Sequence, residues 1–193
     1  MNSLKGKLLI AAPGLRDPNF VRSVVLVAEH DEKGALGIVL NRPGKIAVTD
    51  LWAAISSETS TSATHAFMGG PVQENAVLLL HGHADLAPLV EPVVPGVYLA
   101  SDVEVLGVLL EREAKAAEGG GAPEVKFRVY CGYSGWGAGQ LEGEMSAGGW
   151  VIYPAEADHV FNAAPEQLWS LVMKALGGVH EFFALMPPDP EMN

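Results

Sequence analysis

Apolar and polar residues along this chain repeat with two different periods, and the changes of period predict its elements. Lys7 to Ala11 is a short apolar strand closed by Pro13-Gly14, and Arg16-Asp17-Pro18-Asn19 supplies a turn. Phe20 to Ala28 reads as a long strand in which Val21, Val24, Val25 and Val27 give β-branched packing. Ala35 to Leu40 returns as its hairpin partner after the polar stretch Glu29 to Gly34, and this pair is expected at the centre of the sheet. Asn41-Arg42-Pro43-Gly44 stops that strand, and Thr49 or Asp50 caps a helix carrying Leu51, Trp52 and Ile55. The Ser/Thr run Ser56 to Thr64 is a surface loop. His65 to Met68, Ala76 to His81 and Val97 to Ala100 read as further strands, separated by the Gly69-Gly70-Pro71-Val72 turn and an irregular, proline-rich connection. Helical spacing returns at Val103, Leu106, Leu109 and Leu110 behind a Ser101-Asp102 start, with Gly119-Gly120-Gly121 as its stop. It returns again at Leu168, Trp169, Val172 and Leu176, after Pro165 and before Gly177-Gly178.

Between these last helices, Phe127 to Trp150 holds the densest mixture of glycine and aromatic residues. Phe127, Val129 and Cys131 alternate with Arg128 and Tyr130, a strand with one buried face. A sharp turn through Gly132, Gly135, Gly137 and Gly139 is expected next, with a short helix from Gln140 and a strand over Trp150 to Tyr153. A dinucleotide fingerprint fails here by one residue, because Gln140 stands where the last glycine belongs, and Glu142 and Glu144 repel an anion at the helix start. A nucleophile elbow fails as well, since Trp136 replaces its final glycine, which leaves Ser134 as a turn serine. The bland reading is preferred: the glycines let Tyr133 and Trp136 fold back over the sheet.

GYSGWGAGQLE followed by GGW, with ALGIVLNRP from Ala35 to Pro43, GGPV from Gly69 to Val72 and the opening GKLLIAAPGLRDPNFVRSVVLVAEH, resembles the AlgH/YqgE family of bacterial proteins. Order and spacing agree from Leu4 to Gly177. The resemblance implies a compact α/β (mixed α+β) fold, a mixed, largely antiparallel β-sheet with flanking helices. The chain length suits a single domain over residues 1–185, with room for a small subdomain, and the proline-rich end reads as a flexible tail over 186–193. It also implies regulation, since members are commonly labelled transcriptional regulators after an association with alginate production. No ligand, cofactor, reaction or catalytic residue comes with it.

Composition narrows the partners. Twelve basic against twenty-three acidic side chains give a formal charge of −11, which repels phosphate backbones and argues against direct nucleic-acid binding. No apolar run reaches the length of about 20 residues that a membrane span requires. The lone Cys131 sits in a predicted buried strand and suits a reducing cytoplasm.

Candidate chemistry is sparse. His81 and His83 share a strand face with Asp85 nearby, but a third metal ligand is unsupported, so no metal or cofactor is called for. Glu29 and His30, adjacent on a strand, point to opposite faces. Arg22 inside a strand pattern, and Asn41-Arg42 at a strand end, suit either backbone capping or a ligand anion. A pocket, if present, is expected to be lined by Arg22, Asn41, Arg42, Tyr133 and Trp136, all at strand ends or in loops. The first reading is a non-catalytic cytoplasmic protein that binds a ligand or a protein partner in regulation. Direct transcriptional regulation on DNA is the second, and a hydrolase or nuclease using His30, His81 or His83 the third.

Overall fold

The computed structural model describes residues 3–119 and 125–186, so most of the glycine stop after the long helix and the tail beyond Met186 lie outside the described residues. Among the described residues, nine strands form one sheet. They are β1 (Lys7–Ala11), β2 (Val24–Asp31), β3 (Gly34–Val39), β4 (Pro43–Ala47), β5 (His65–Met68), β6 (Val72–His81), β7 (Tyr98–Ala100), β8 (Phe127–Gly137) and β9 (Trp150–Pro154). The main path runs β4-β5-β8-β3-β2-β1-β9, with β6 and β7 branching from β8. All pairings are antiparallel except β5 with β8, so the sheet is mixed and largely antiparallel. The β2–β3 hairpin sits in mid-sheet, as its β-branched run suggests.

Among the described residues, six α-helices flank the sheet: α1 (Val48–Ser56), α2 (Val103–Glu118), α3 (Gln140–Ser146), α4 (Ala157–Phe161), α5 (Pro165–Leu176) and α6 (Val179–Ala184). Side-chain alternation sorts the strands into two faces. Leu8, Ile10, Val24, Leu26 and Ile38 meet Leu168, Trp169, Val172 and Met173 of α5. Leu9, Ala11, Val25, Val27 and Val39 face the other way, toward Trp136, Leu141 and Trp150. Farther along the sheet, α1 and α2 bring Trp52, Leu106 and Leu109 onto Leu79, Val129 and Cys131. Each fully buried aliphatic side chain stabilises the fold by about 1.5–3 kcal/mol.

The glycine-rich stretch departs from the expected sharp turn. β8 continues through Gly132 and Gly135 to Gly137, and Ser134 is a fully buried strand residue whose hydroxyl donates to the Gly69 carbonyl. Gly132 has φ 70°, and a Cβ there would lie 2.5 Å from the Gly70 carbonyl oxygen. Its left-handed backbone inverts the side-chain alternation inside the strand, opposite the β6 residues between Val72 and Val77 where the β6–β8 register shifts. It explains why Tyr130 and Tyr133, three positions apart, pack against the same cluster. Trp136 is returned by the same device to the opposite face.

β2 begins at Val24 instead of Phe20. The Asp17 carbonyl accepts the amides of Phe20 and Val21, and Arg22 adopts φ 53°, so Phe20 to Ser23 closes a turn instead of extending. β4, α4 and α6 have no counterpart in the sequence reading; each is six residues or shorter.

Candidate functional site

The end of β8 leads through Ala138-Gly139 into α3, whose first residue, Gln140, accepts the Gly137 amide on its side-chain oxygen at 3.0 Å. At the other end the Gly149 amide reaches the Glu144 carbonyl and the Gly148 amide reaches Met145, with Gly148 at φ 78°. That is a Schellman termination, and it delivers Trp150 straight into β9. A seven-residue helix is thereby fixed at both ends, between the strands that carry Trp136 and Trp150.

Glu144 joins those strands. Its Oε2 accepts the indole N–H of Trp136 at 3.0 Å and of Trp150 at 2.8 Å, and its Oε1 accepts the Gln140 amide at 3.0 Å. The two indoles meet edge to face at 6.0 Å, and Phe20 covers both, stacked on Trp136 at 6.1 Å and edge-on to Trp150 at 5.4 Å. Among the described residues no cation pairs with Glu144.

Beside this group lies a cleft of about 580 Å³. Four chain segments line it: the 14–20 turn with Leu15, Asp17 and Phe20; Pro71; Gly135 and Trp136 of β8; and Gln140 to Trp150 around α3. Its size is that of a small-molecule site. Among the described residues, Asp17 and Glu144 are its only charged lining residues. Ala147, Gly148 and Gly149 contribute small residues to its lining.

The five residues expected to line a pocket fall into three places. Trp136 lines the cleft. Tyr133, with Trp136, borders a neighbouring shallow depression around His30 and Lys33. Arg22, Asn41 and Arg42 gather at the entrance to β2. The Asn41 side chain accepts the Val24 amide at 2.8 Å and donates to the Arg22 carbonyl at 2.9 Å, while Arg42 donates to the Val21 carbonyl. The Arg22 guanidinium lies 4.5 Å over the Trp169 ring and donates to the Met186 carbonyl. Burial pulls both guanidinium groups below their ordinary pKa, and both stay charged at neutral pH. These bonds fasten Val21 to Val24, the segment that follows the 14–20 turn, and Arg42 also lines a smaller hollow with Asn19, Pro71 and Glu74. Tyr133 and Trp136 lie within β8 and not in a loop.

Sequence reasoning missed Phe20, Gln140, Glu144 and Trp150. The signal available was the spacing of Trp136, Gln140 and Glu144, which puts the last two one helical turn apart on the face nearest the strand end.

The histidines are engaged elsewhere. His30 turns away from Glu29: its Nδ1 accepts the Leu4 amide at 3.0 Å, and its Nε2 meets Glu142 at 2.9 Å. An amide on Nδ1 leaves the proton on Nε2, so the ring donates to Glu142. His81 ends β6 fully buried against Tyr98, and its Nδ1 accepts the His83 amide. Asp85 is held by both terminal nitrogens of Arg112. Burial, reinforced by neighbouring positive charge, pushes His81 and His83 below their ordinary pKa. Among the described residues no three His, Cys, Asp or Glu side chains are grouped to hold a metal ion, and no helix is long and apolar enough to cross a membrane.

Sheet, helices and cleft together define a mixed-sheet α/β protein with an aromatic, acid-lined cavity at one end of its β8–α3–β9 unit. The chain belongs to the AlgH-like (DUF179) family, whose profile matches residues 8–181. It is 39% identical to a UPF0301 protein of Streptomyces coelicolor, covering 100% of this chain and 97% of the relative. It is 38% identical to a UPF0301 protein of Chlorobium luteolum, over 97% and 94% of the two chains. The solution structure of the AlgH protein from Pseudomonas aeruginosa matches with a TM-score of 0.69 and 29% identity, over 96% of this chain and 95% of that one. A crystal structure from Corynebacterium diphtheriae shares the fold, with a TM-score of 0.73 at 23% identity, over 96% and 93% of the two chains.

Proposed function

We propose that this chain is a regulatory binding protein that takes up a small ligand in the cleft between the 14–20 turn and α3, without catalysing a reaction on it. One observation carries the reading: four separate chain segments converge on a cavity of about 580 Å³ whose wall is a carboxylate held by two indoles. In this reading Trp136 contacts the ligand, Arg22, Asn41 and Arg42 position the wall, and Tyr133 shapes the adjoining surface. The groups with nucleophile or base chemistry point to structural duties, since Ser134 is buried within β8 and His30 serves a backbone amide and Glu142. We place the protein in the cytoplasm, on its single buried thiol, and treat residues 1–185 as one domain with a short tail. The −11 charge weighs against action on DNA.

The test is the melting temperature against a broad panel: nucleotides, phosphorylated metabolites, amino acids, amines, divalent metals and short DNA. A ligand at 100 times its Kd adds about 2.7 kcal/mol, which at this size moves the midpoint by roughly 5–10 °C. At least one small molecule should produce such a shift, and Phe20→Ala should abolish it. No shift with any small molecule, an equal shift in Phe20→Ala, or a shift with DNA alone would overturn the proposal.

A further inference from the structure

We infer that the ligand of this cleft is a small organic cation, a guanidinium or alkylammonium group on a partly apolar body. The inference rests on the binding reading above and adds the chemistry of the ligand to it.

The lining carries two carboxylates and no basic side chain among the described residues. Glu144 is bound by three donors, all of them neutral N–H groups, so its negative charge is oriented but not compensated. A carboxylate offers about four lone-pair sites, and the vacant one here is on Oε1. Asp17, from the 14–20 turn, also lines the cleft, with one oxygen engaged by the Asn19 amide and the other free of any hydrogen bond among the described residues. The lining therefore presents carboxylate acceptors, and no basic side chain among the described residues is there to hold an anion.

The remaining surface is aromatic. Phe20, Trp136 and Trp150 supply aromatic lining, and aromatic rings attract weakly hydrated cations by about 0.5–2 kcal/mol per contact. A planar guanidinium satisfies both demands, since its N–H fork matches carboxylate oxygens and its face stacks on an indole. The overall charge of −11 acts in the same direction at long range by concentrating cations near the surface at low salt. An anionic metabolite meets repulsion on every one of these counts.

Isothermal titration calorimetry on the full chain tests the assignment. The probes are ethylguanidinium, arginine methyl ester and butylammonium, with N-ethylurea as the neutral analogue of the first and inorganic phosphate as the anion. The cations should bind at low salt, N-ethylurea at least ten-fold more weakly, and phosphate not at all. Asp17→Asn keeps the oxygen that accepts the Asn19 amide while removing the charge, so it should fold normally and weaken the cations about ten-fold. Glu144→Gln should weaken them as well, with its folding verified by circular dichroism. Three results would overturn the cation assignment: no heat from any cation up to about 10 mM, where even a millimolar site is mostly filled; binding of N-ethylurea as tight as that of ethylguanidinium; or full cation affinity in Asp17→Asn. Should a neutral or anionic compound instead give a melting shift that Phe20→Ala removes, the cleft remains the binding site and only the ligand class fails.

Discussion

Replacing Glu144 with alanine tests how the β8–α3–β9 unit is held together. The side chain accepts the Trp136 and Trp150 indoles at 3.0 and 2.8 Å, and each tryptophan is 6% exposed. Truncation leaves two enclosed N–H donors without a partner, at about 1–3 kcal/mol each. The third donor, Gln140, is exposed and recovers its bond from water. One opposing effect comes from the helix: Glu144 lies in the last turn of α3, where a carboxylate faces the negative end of the dipole, so its removal returns about 0.3–1 kcal/mol. The orphaned indoles win, and the net loss is about 1–5 kcal/mol, centred near 3, or roughly 6–12 °C in Tm for a chain of this size. Glu144→Gln keeps one acceptor oxygen for the indoles and should retain about half of that. Urea unfolding followed by far-ultraviolet circular dichroism supplies the numbers, with the slope m unchanged if only native-state stability moved. Glu144→Ala within about 0.5 kcal/mol of the parent, or no more stable when glutamine replaces alanine, would refute the reasoning.

Gly132→Ala should destabilise by about 2–4 kcal/mol in the same assay, because the position has φ 70° and the new Cβ would lie 2.5 Å from the Gly70 oxygen; a loss under about 1 kcal/mol would mean that the strand tolerates a side chain there. His81 carries an acid-side prediction. Its folded pKa lies below the unfolded value of about 6.5, chiefly through burial, so the native state resists protonation. The stability it contributes is fully present above that unfolded pKa and falls as pH drops below it, by about 1.4 kcal/mol per pH unit at most, until the folded pKa is reached. Denaturant midpoints of His81→Gln should vary less than those of the parent between about pH 6.5 and 5; parallel profiles would contradict this.

Long apolar periodicity made much of this fold legible. β1, β3, β5, β7, α1, α2, α5 and β9 lie close to where their patterns put them, and the Asp102 side chain accepts the Glu104 amide as the helix start suggested. What was not legible depended on contacts distant in sequence. Gly132 and Gly135 read as a turn because their missing side chains looked like local freedom, whereas Gly132 is small to admit the carbonyl of Gly70 from a neighbouring segment. Val21 continued a β-branched run, yet Asp17 and Asn41 draw Phe20 to Ser23 into a turn through hydrogen bonds that no period records. The candidate site was half visible for the same reason. Trp136 stood out by composition, while Glu144 is a surface-like residue in sequence and becomes distinctive only where two indoles converge on one oxygen.

The four tryptophans offer the most direct test of where a ligand binds. Trp136 and Trp150 line the cleft, Trp52 lies between α1 and α2, and Trp169 is buried under Arg22 with its indole N–H on the Ala11 carbonyl. Each indole N–H gives its own nitrogen–proton resonance. Titration with the panel compound that raises Tm most should shift the Trp136 and Trp150 signals and leave those of Trp52 and Trp169 in place. Movement confined to Trp52 or Trp169, or no movement of the cleft pair at saturation, would contradict the account.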